Sequence, residues 1–171
     1  MRFIIVGVGA IGGVVGGRLI EAGHDVIGIA RGAHAAEIAM SGLRLACPTG
    51  AVVIKLMVIA RPTELQFAKD DVVLLAVKGQ DTVAVLEEIA AATDLDIPIV
   101  CLQNGVNNER EALRRFRNVY GATVMCPAVH LRPGEVRAHS SPITGLIDVG
   151  RYPHGEDDTV AQVVAALSLS T

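Results

Sequence analysis

Residues Gly7-Val8-Gly9-Ala10-Ile11-Gly12 spell G-x-G-x-x-G directly behind a short apolar run, residues 2–6. That run is too brief for a helix and ends at a glycine. Residues 10–22 have helical length, with small residues on one side, and Gly23-His24 make a turn into a second apolar run, 25–30. Strand, glycine turn, helix and strand are the parts of a βαβ unit. Each glycine then has a mechanical task. Gly7 permits the tight turn off the strand, Gly9 lets a pyrophosphate approach the backbone, and Gly12 lets the helix pack on the strand. The helix start offers N–H groups and a partial positive charge to phosphates. In a chain with 18 glycines the bare pattern is weak. Its place between strand and helix points to dinucleotide binding by Gly7, Val8, Gly9, Ala10, Ile11 and Gly12, against a degenerate fold without ligand.

The end of the second strand selects the dinucleotide. An NAD site wants Asp or Glu there for the adenosine ribose 2′-hydroxyl. Here the strand closes Ile29-Ala30-Arg31, and Asp25 lies at its other end. The Arg31 guanidinium suits a 2′-phosphate, although a solvated loop arginine would read the same way. The expected cofactor is NADP(H).

The rest of the chain extends the pattern. Aromatic residues are 3% of a sequence that is 51% hydrophobic, so the core must be built from Val, Ile, Leu and Ala, as in a buried parallel sheet. Residues 72–77 and 97–102 read as buried strands, with helices over 81–92 and 108–116 and one over 33–41 stopped by Gly42. Residues 43–45 and 53–59 flank Pro48-Thr49-Gly50 and read as an antiparallel hairpin inserted at the sheet edge. Residues 119–129 read as one strand, followed by a hairpin turn at Pro133-Gly134, a strand over 144–149 and a helix over 157–169. The expected fold is a single α/β domain, a Rossmann-type doubly wound and mostly parallel sheet with hairpin additions at its edge.

Bulk properties narrow the partners. The net charge of -3, with acids and bases interspersed, argues against nucleic acid or an anionic membrane. No apolar run has membrane length, and Cys47, Cys101 and Cys126 show no pairing or zinc spacing. The expectation is a cytoplasmic protein with reduced thiols and no metal. The five histidines have neither metal-ligand nor triad spacing and read as surface or turn residues. Asp70-Asp71 and Asp157-Asp158 read as solvated turns or helix starts.

Ligands of open α/β sheets sit beyond the carboxyl ends of the strands. Lys78 follows one buried strand and Asn104 another, each beside a glycine, Gly79 and Gly105. An amide there can orient a carbonyl and a lysine can meet a phosphate or carboxylate. By position alone each is more often a loop residue than a functional one.

Taken together these residues resemble the ketopantoate reductase (2-dehydropantoate 2-reductase) family. The likeness is carried by Gly7 to Gly12 with Gly23-His24-Asp25-Val26 and Arg31. It continues in Ala76-Val77-Lys78-Gly79-Gln80 and in Gln103-Asn104-Gly105-Val106 with Asn108-Glu109. Pro133-Gly134-Glu135-Val136 and Ile147-Asp148-Val149-Gly150 complete it, so that it runs in order along essentially the whole chain. The resemblance implies an oxidoreductase that reduces a small 2-keto acid with NADPH in pantothenate biosynthesis. It implies that Gly7 to Gly12 and Arg31 hold the cofactor, and that Lys78 and Asn104 line the cofactor and substrate cleft. Ala128 aligns loosely with a backbone cofactor contact.

In that family a C-terminal helical domain follows, carrying the catalytic lysine and a glutamate. The 171 residues correspond to the NADP(H)-binding domain alone, so the main general acid is expected outside them. The apolar surface on which such a domain packs implies a tendency to self-associate as a homo-oligomer. Two other readings stay open: a non-catalytic NADP(H) sensor or regulatory module, and a related dehydrogenase with another substrate.

Overall fold

A computed structural model describes residues 1–168. Residues 2–6 form β1 (Arg2–Val6), and the glycine motif leads into α1 (Ala10–Glu21) and β2 (Asp25–Ile29), as the βαβ reading requires. There follow α2 (Gly32–Ser41), β3 (Leu43–Cys47), β4 (Gly50–Ile54), β5 (Met57–Ile59), β6 (Asp71–Leu75), α3 (Thr82–Ala90) and β7 (Ile99–Cys101). The chain continues through α4 (Asn108–Leu113), β8 (Val119–Met125), β9 (Ala128–Arg132), β10 (Glu135–Ala138), β11 (Leu146–Arg151) and α5 (Asp158–Ser168). The expected end of the last helix, Leu169, lies outside the described residues.

Seven strands form the main sheet in the order β11-β8-β7-β6-β1-β2-β5. All neighbours are parallel except β11, which runs antiparallel to β8 at one edge. Alternation along β1 shows why the sheet is a middle layer. Phe3 and Ile5 face a core shared with α1, α5 and a second sheet, while Ile4 and Val6 face a core shared with α3 and α4. Strands covered on both faces need the near-continuous apolar sequence seen here.

The second sheet is where expectation and structure part. β3 and β4 do form an antiparallel hairpin, but it is not an addition to the main sheet. It joins β10 and β9 in a separate four-stranded sheet, β4-β3-β10-β9. The second arm of the expected hairpin, residues 53–59, divides: β4 ends at Ile54, and β5 departs to pair in parallel with β2. The expected strand over 119–129 also divides. Its break falls at Cys126-Pro127, where proline has no N–H for a ladder, and β8 and β9 enter different sheets. The hairpin turn at Pro133-Gly134 is present, between β9 and β10.

Helix α1 fills the gap between the two sheets. Its small residues line two sides, not one. A Cβ on Gly12 would press into the Gly7 carbonyl and lie 2.9 Å from Ile5, and one on Gly16 would lie 3.0 Å from Ile5. On the other flank, Cβ atoms on Gly13 and Gly17 would lie 2.7 Å from Val136 and 2.9 Å from Ile54, in the second sheet. Glycine disfavours a helix by up to about 1 kcal/mol per residue relative to Ala. Close packing on both sides offsets that cost here.

Asp71 is not in a solvated turn. It is β1's register neighbour, opposite Arg2, and lies fully buried. It accepts two bonds from the Arg2 guanidinium at 2.7 Å each, and one from the Ala68 N–H. Asp157 does start a helix, accepting from the Val160 N–H at 3.0 Å.

Candidate functional site

The carboxyl ends of five adjacent parallel strands share one edge of the main sheet. In spatial order, β7 leads to Asn104, β6 to Lys78, β1 to the glycine loop, β2 to Arg31 and β5 to Arg61. At the centre, Gly7 takes φ +98°, a left-handed conformation that favours glycine, and turns the chain off β1. Gly9 precedes α1 at φ −82°. Among the described residues no side chain caps that helix start, and its first turn carries no acid, so its N–H groups keep their attraction for an anion.

A cleft of ≈ 340 Å³ opens over this loop, lined by Gly7, Val8, Gly9, Ala30, Arg31 and His34 on one side, and by Val77, Asp81 and His130 among the others. A Cβ on Gly9 would meet nothing within 4 Å, so the loop backbone presents an open face. An open face, an uncapped helix start and an adjacent guanidinium fit a dinucleotide pyrophosphate and its adenosine end. A more voluminous groove, ≈ 840 Å³, lies beside His24 and Asp25 at the amino end of β2, away from every candidate residue.

The candidate residues fall into three groups. Gly7, Val8, Gly9 and Arg31 line the cleft, and Ala10, Ile11 and Gly12 form the helix start beside it. Lys78 and Asn104 are exposed on the same edge, outside the cleft lining. Ala128 opens β9 in the second sheet, pairs with Ala138 and packs against the core beneath α1; it does not line the cleft, whereas His130, two residues on, does. Arg31 also has a partner that the sequence did not suggest. Its guanidinium lies 3.2 Å from Glu88 on α3.

Three further groups organise this edge. Gln103 is buried and donates its amide to the Val77 carbonyl at 2.9 Å and to the Thr82 hydroxyl at 2.7 Å. The Thr82 hydroxyl donates to Asn108 Oδ1 at 2.9 Å, and Asn108 Nδ2 donates to the Asn104 carbonyl at 3.2 Å. This relay fixes the two loops that carry Lys78 and Asn104. Gln103 Oε1 has no partner among the described residues.

His34 is not a surface or turn residue. Its Nε2 lies 2.6 Å from the Val8 carbonyl and so carries the proton, and its Nδ1 accepts the Gly134 N–H at 2.9 Å. The neutral ring therefore ties the glycine loop to the β9–β10 turn. Burial holds its pKa below the ordinary value; the Val8 bond opposes this, and His130, with ring centroids 4.0 Å apart, adds to it. His34 stands one helical turn after Arg31, a spacing that could have placed it on the cleft side.

Arg61 escaped the sequence analysis, although a repeated tripeptide marks it. β2 runs out as Ile29-Ala30-Arg31 and β5 as Ile59-Ala60-Arg61, the same three residues on strands that pair in parallel.

Among the described residues no helix is long and apolar enough to cross a membrane, and no group of His, Cys, Asp and Glu is arranged to hold a metal ion.

Residues 3–154 match the family model described as ketopantoate reductase PanE/ApbA. The 2-dehydropantoate 2-reductase of Pyrococcus horikoshii is 33% identical over 165 residues, covering 95% of this chain and 52% of the relative. The crystal structure of a PanE/ApbA family ketopantoate reductase from Ralstonia eutropha JMP134 superposes with a TM-score of 0.85 at 30% identity, over 99% of this chain and 54% of that one. D-mandelate dehydrogenase, in a ternary structure with NADH and anilino(oxo)acetate, superposes with a TM-score of 0.86 at 25% identity, over 99% and 54%. The chain thus spans about half the length of the curated relatives it matches.

Proposed function

The chain belongs to the ketopantoate reductase (PanE/ApbA) family of oxidoreductases, and from that premise we propose that it is the NADP(H)-binding part of a reductase of a small 2-keto acid. One observation carries this reading: the linear order Asn104, Lys78, glycine loop, Arg31 along a single sheet edge. Three inter-strand spacings of ~4.8 Å separate the ends of that row, roughly 15 Å, a length on the scale of an extended dinucleotide. Such a row suits adenosine phosphate at Arg31, pyrophosphate at the glycine loop and α1, and the nicotinamide end near Lys78 and Asn104.

Reduced nicotinamide, when bound, supplies the hydride that a keto carbon accepts. The chain's own groups bind and orient. The Asn104 amide aligns the carbonyl to be reduced, and the Lys78 ammonium meets the negative charge of substrate or developing alkoxide. The Gln103–Thr82–Asn108 relay holds both loops in place. The proton for the carbonyl oxygen is assigned, by the resemblance alone, to a lysine outside these 171 residues. A positioned acid contributes about 10²–10⁴-fold.

A second reading, a dehydrogenase that uses NADH on another 2-keto acid, draws on the likeness to D-mandelate dehydrogenase and on Glu88. That carboxylate sits beside Arg31 and is the group type an NAD site turns to a ribose hydroxyl.

The test is nicotinamide oxidation with a panel of 2-keto acids. It compares residues 1–171 with a chimera carrying the second half of the Pyrococcus horikoshii relative. The chain alone is expected to bind NADPH and turn over slowly, and the chimera to turn over fast. Fast turnover by residues 1–171 would move the proton donor into this chain, with Lys78 first in question. A chimera that binds NADPH and reduces nothing would favour a non-catalytic binding module.

A further inference from the structure

β2 and β5 are parallel neighbours in the register Ile29↔Ile59, and the Ala30 N–H donates to the Ile59 carbonyl at 3.0 Å. Two residues further on, Arg31 and Arg61 leave the two strands side by side. Like charges at matched positions on adjacent strands repel, so the pair needs a counter-charge. Glu88 supplies it from α3. Its carboxylate meets Arg31 Nη2 at 3.2 and 3.3 Å, and meets Arg61 Nη2 at 3.3 Å and Nε at 3.4 Å. Glu64, which accepts the Ala60 N–H at 3.3 Å, and Asp81, across the cleft, make no ion pair with either arginine among the described residues, so the two guanidinium groups share one paired carboxylate. The arginine side chains are 63% and 58% exposed and the glutamate 22%, so an incoming anion reaches the cations first.

We propose that Arg31 and Arg61 together form a two-guanidinium seat for a phosphate monoester, the 2′-phosphate of NADP(H), and that Glu88 occupies this seat until the phosphate displaces it. The inference rests on the cofactor reading above and assigns Arg61 and Glu88 to it. A phosphate monoester dianion offers more acceptor oxygens and more charge than a carboxylate, and guanidinium forks match it in bidentate geometry. Glu88 then sharpens selectivity. A ligand without the 2′-phosphate has nothing with which to break the Glu88 pairs, whereas the dianion exchanges one acceptor for a stronger one.

The experiment is equilibrium binding of NADPH, NADH, adenosine 2′-phosphate, adenosine 5′-phosphate and inorganic phosphate. It is run on the unmodified chain, Arg61→Ala and Glu88→Gln, with the unfolding transition of each variant recorded. Loss of one charge-assisted contact corresponds to about ten- to hundredfold in affinity. Arg61→Ala is expected to weaken NADPH and adenosine 2′-phosphate by that factor while leaving NADH and adenosine 5′-phosphate unchanged. Glu88→Gln keeps an acceptor but removes the competing charge, and is expected to tighten NADPH severalfold. Inorganic phosphate is expected to bind weakly, since the adenosine supplies the rest of the contact. An Arg61→Ala variant that unfolds like the unmodified chain and binds NADPH equally well would overturn the seat. Weaker NADPH binding by Glu88→Gln would overturn the displacement, and weaker NADH binding by that variant would make Glu88 a ribose acceptor instead. Inorganic phosphate binding as tightly as adenosine 2′-phosphate would make the seat a general anion site. Failure of the unmodified chain to bind NADPH at all would remove the cofactor reading itself, and this inference with it.

Discussion

Gln103 donates its side-chain amide to the Val77 carbonyl across 2.9 Å, and so joins the residue before Asn104 to the residue before Lys78. The bond crosses between the ends of β7 and β6 and is partly buried, while the second bond of the same amide, to Thr82, is buried. Replacing Gln103 with the similarly shaped Met removes that donor and leaves the Val77 carbonyl and Thr82 hydroxyl without it. The expected cost is about 1–3 kcal/mol of stability, the range for stranding a buried polar group. Denaturant unfolding measures it, and Gln103→Met should slacken both loops in hydrogen exchange while the glycine loop keeps its protection. A variant as stable as the unmodified chain would show that the relay carries no load.

The His34 clamp gives a pH dependence with a definite sign. The folded state favours the neutral ring, since a proton on Nδ1 would face the Gly134 N–H. Burial, with His130 adding to it, lowers the pKa in the folded state below the ordinary 6.5. The unfolded chain therefore takes up the proton first as pH falls. The contribution is full above about 6.5 and declines below it, levelling once the folded pKa is passed. The exposed His130 packs against this ring, Glu37 lies beside Gly134, and Arg31 and Asp81 line the same cleft. Stability measured from pH 8 to pH 5 should fall across the acid half, and His34→Gln should flatten that fall.

Much of this edge can be read directly from sequence, and the reason is locality. The strand, glycine loop, helix and second strand lie within thirty residues, and their contacts repeat the order of the chain. Lys78 and Asn104 were legible because each ends an apolar run that can only be a buried strand. What escaped depends on distant pairings. β3 pairs with β10 some ninety residues away, so nothing near Leu43 announces a second sheet. Glu88 looks in sequence like any solvated acid until α3 turns it toward the ends of β2 and β5. Asp71 resembles a turn residue because its neighbour Asp70 is one, and only the register with Arg2 buries it. The twin Ile-Ala-Arg strand ends were present in the sequence, but their meaning needs the pairing of β2 with β5.

The three cysteines should react in a fixed order. Cys101 is buried in β7, and burial, with Glu109 adding to it, pushes its thiol up to about 12. Burial also raises Cys126. The Cys47 thiol is lowered by its bond with Thr49, 3.2 Å away, and by Arg18. Because the thiolate is the reactive form, iodoacetamide on the folded chain near pH 8 should label Cys47 first, Cys126 more slowly and Cys101 only after unfolding. Peptide mass spectrometry reads that order directly, and early labelling of Cys101 would contradict the buried β7.

The glycines of the motif should separate folding from binding. Gly7 combines φ +98° with a would-be Cβ 2.8 Å from the Val77 nitrogen, so Gly7→Ala should destabilise the fold, by about 1–3 kcal/mol for a strained backbone site. Thermal or denaturant unfolding provides the check, and a variant with unchanged stability would contradict the tight turn.

Gly9→Val tests the central claim most directly, since the loop at Gly9 has an ordinary φ of −82° and open space beyond it. The measurement is a calorimetric titration with NADPH and NADH, run on the unmodified chain and on Gly9→Val, with unfolding of both followed in parallel. A cofactor cleft over the glycine loop predicts saturable binding with NADPH tighter than NADH. It also predicts that binding is lost in a Gly9→Val variant that still unfolds cooperatively. Unchanged NADPH affinity in a folded Gly9→Val variant would contradict it, as would an unmodified chain that binds neither nucleotide.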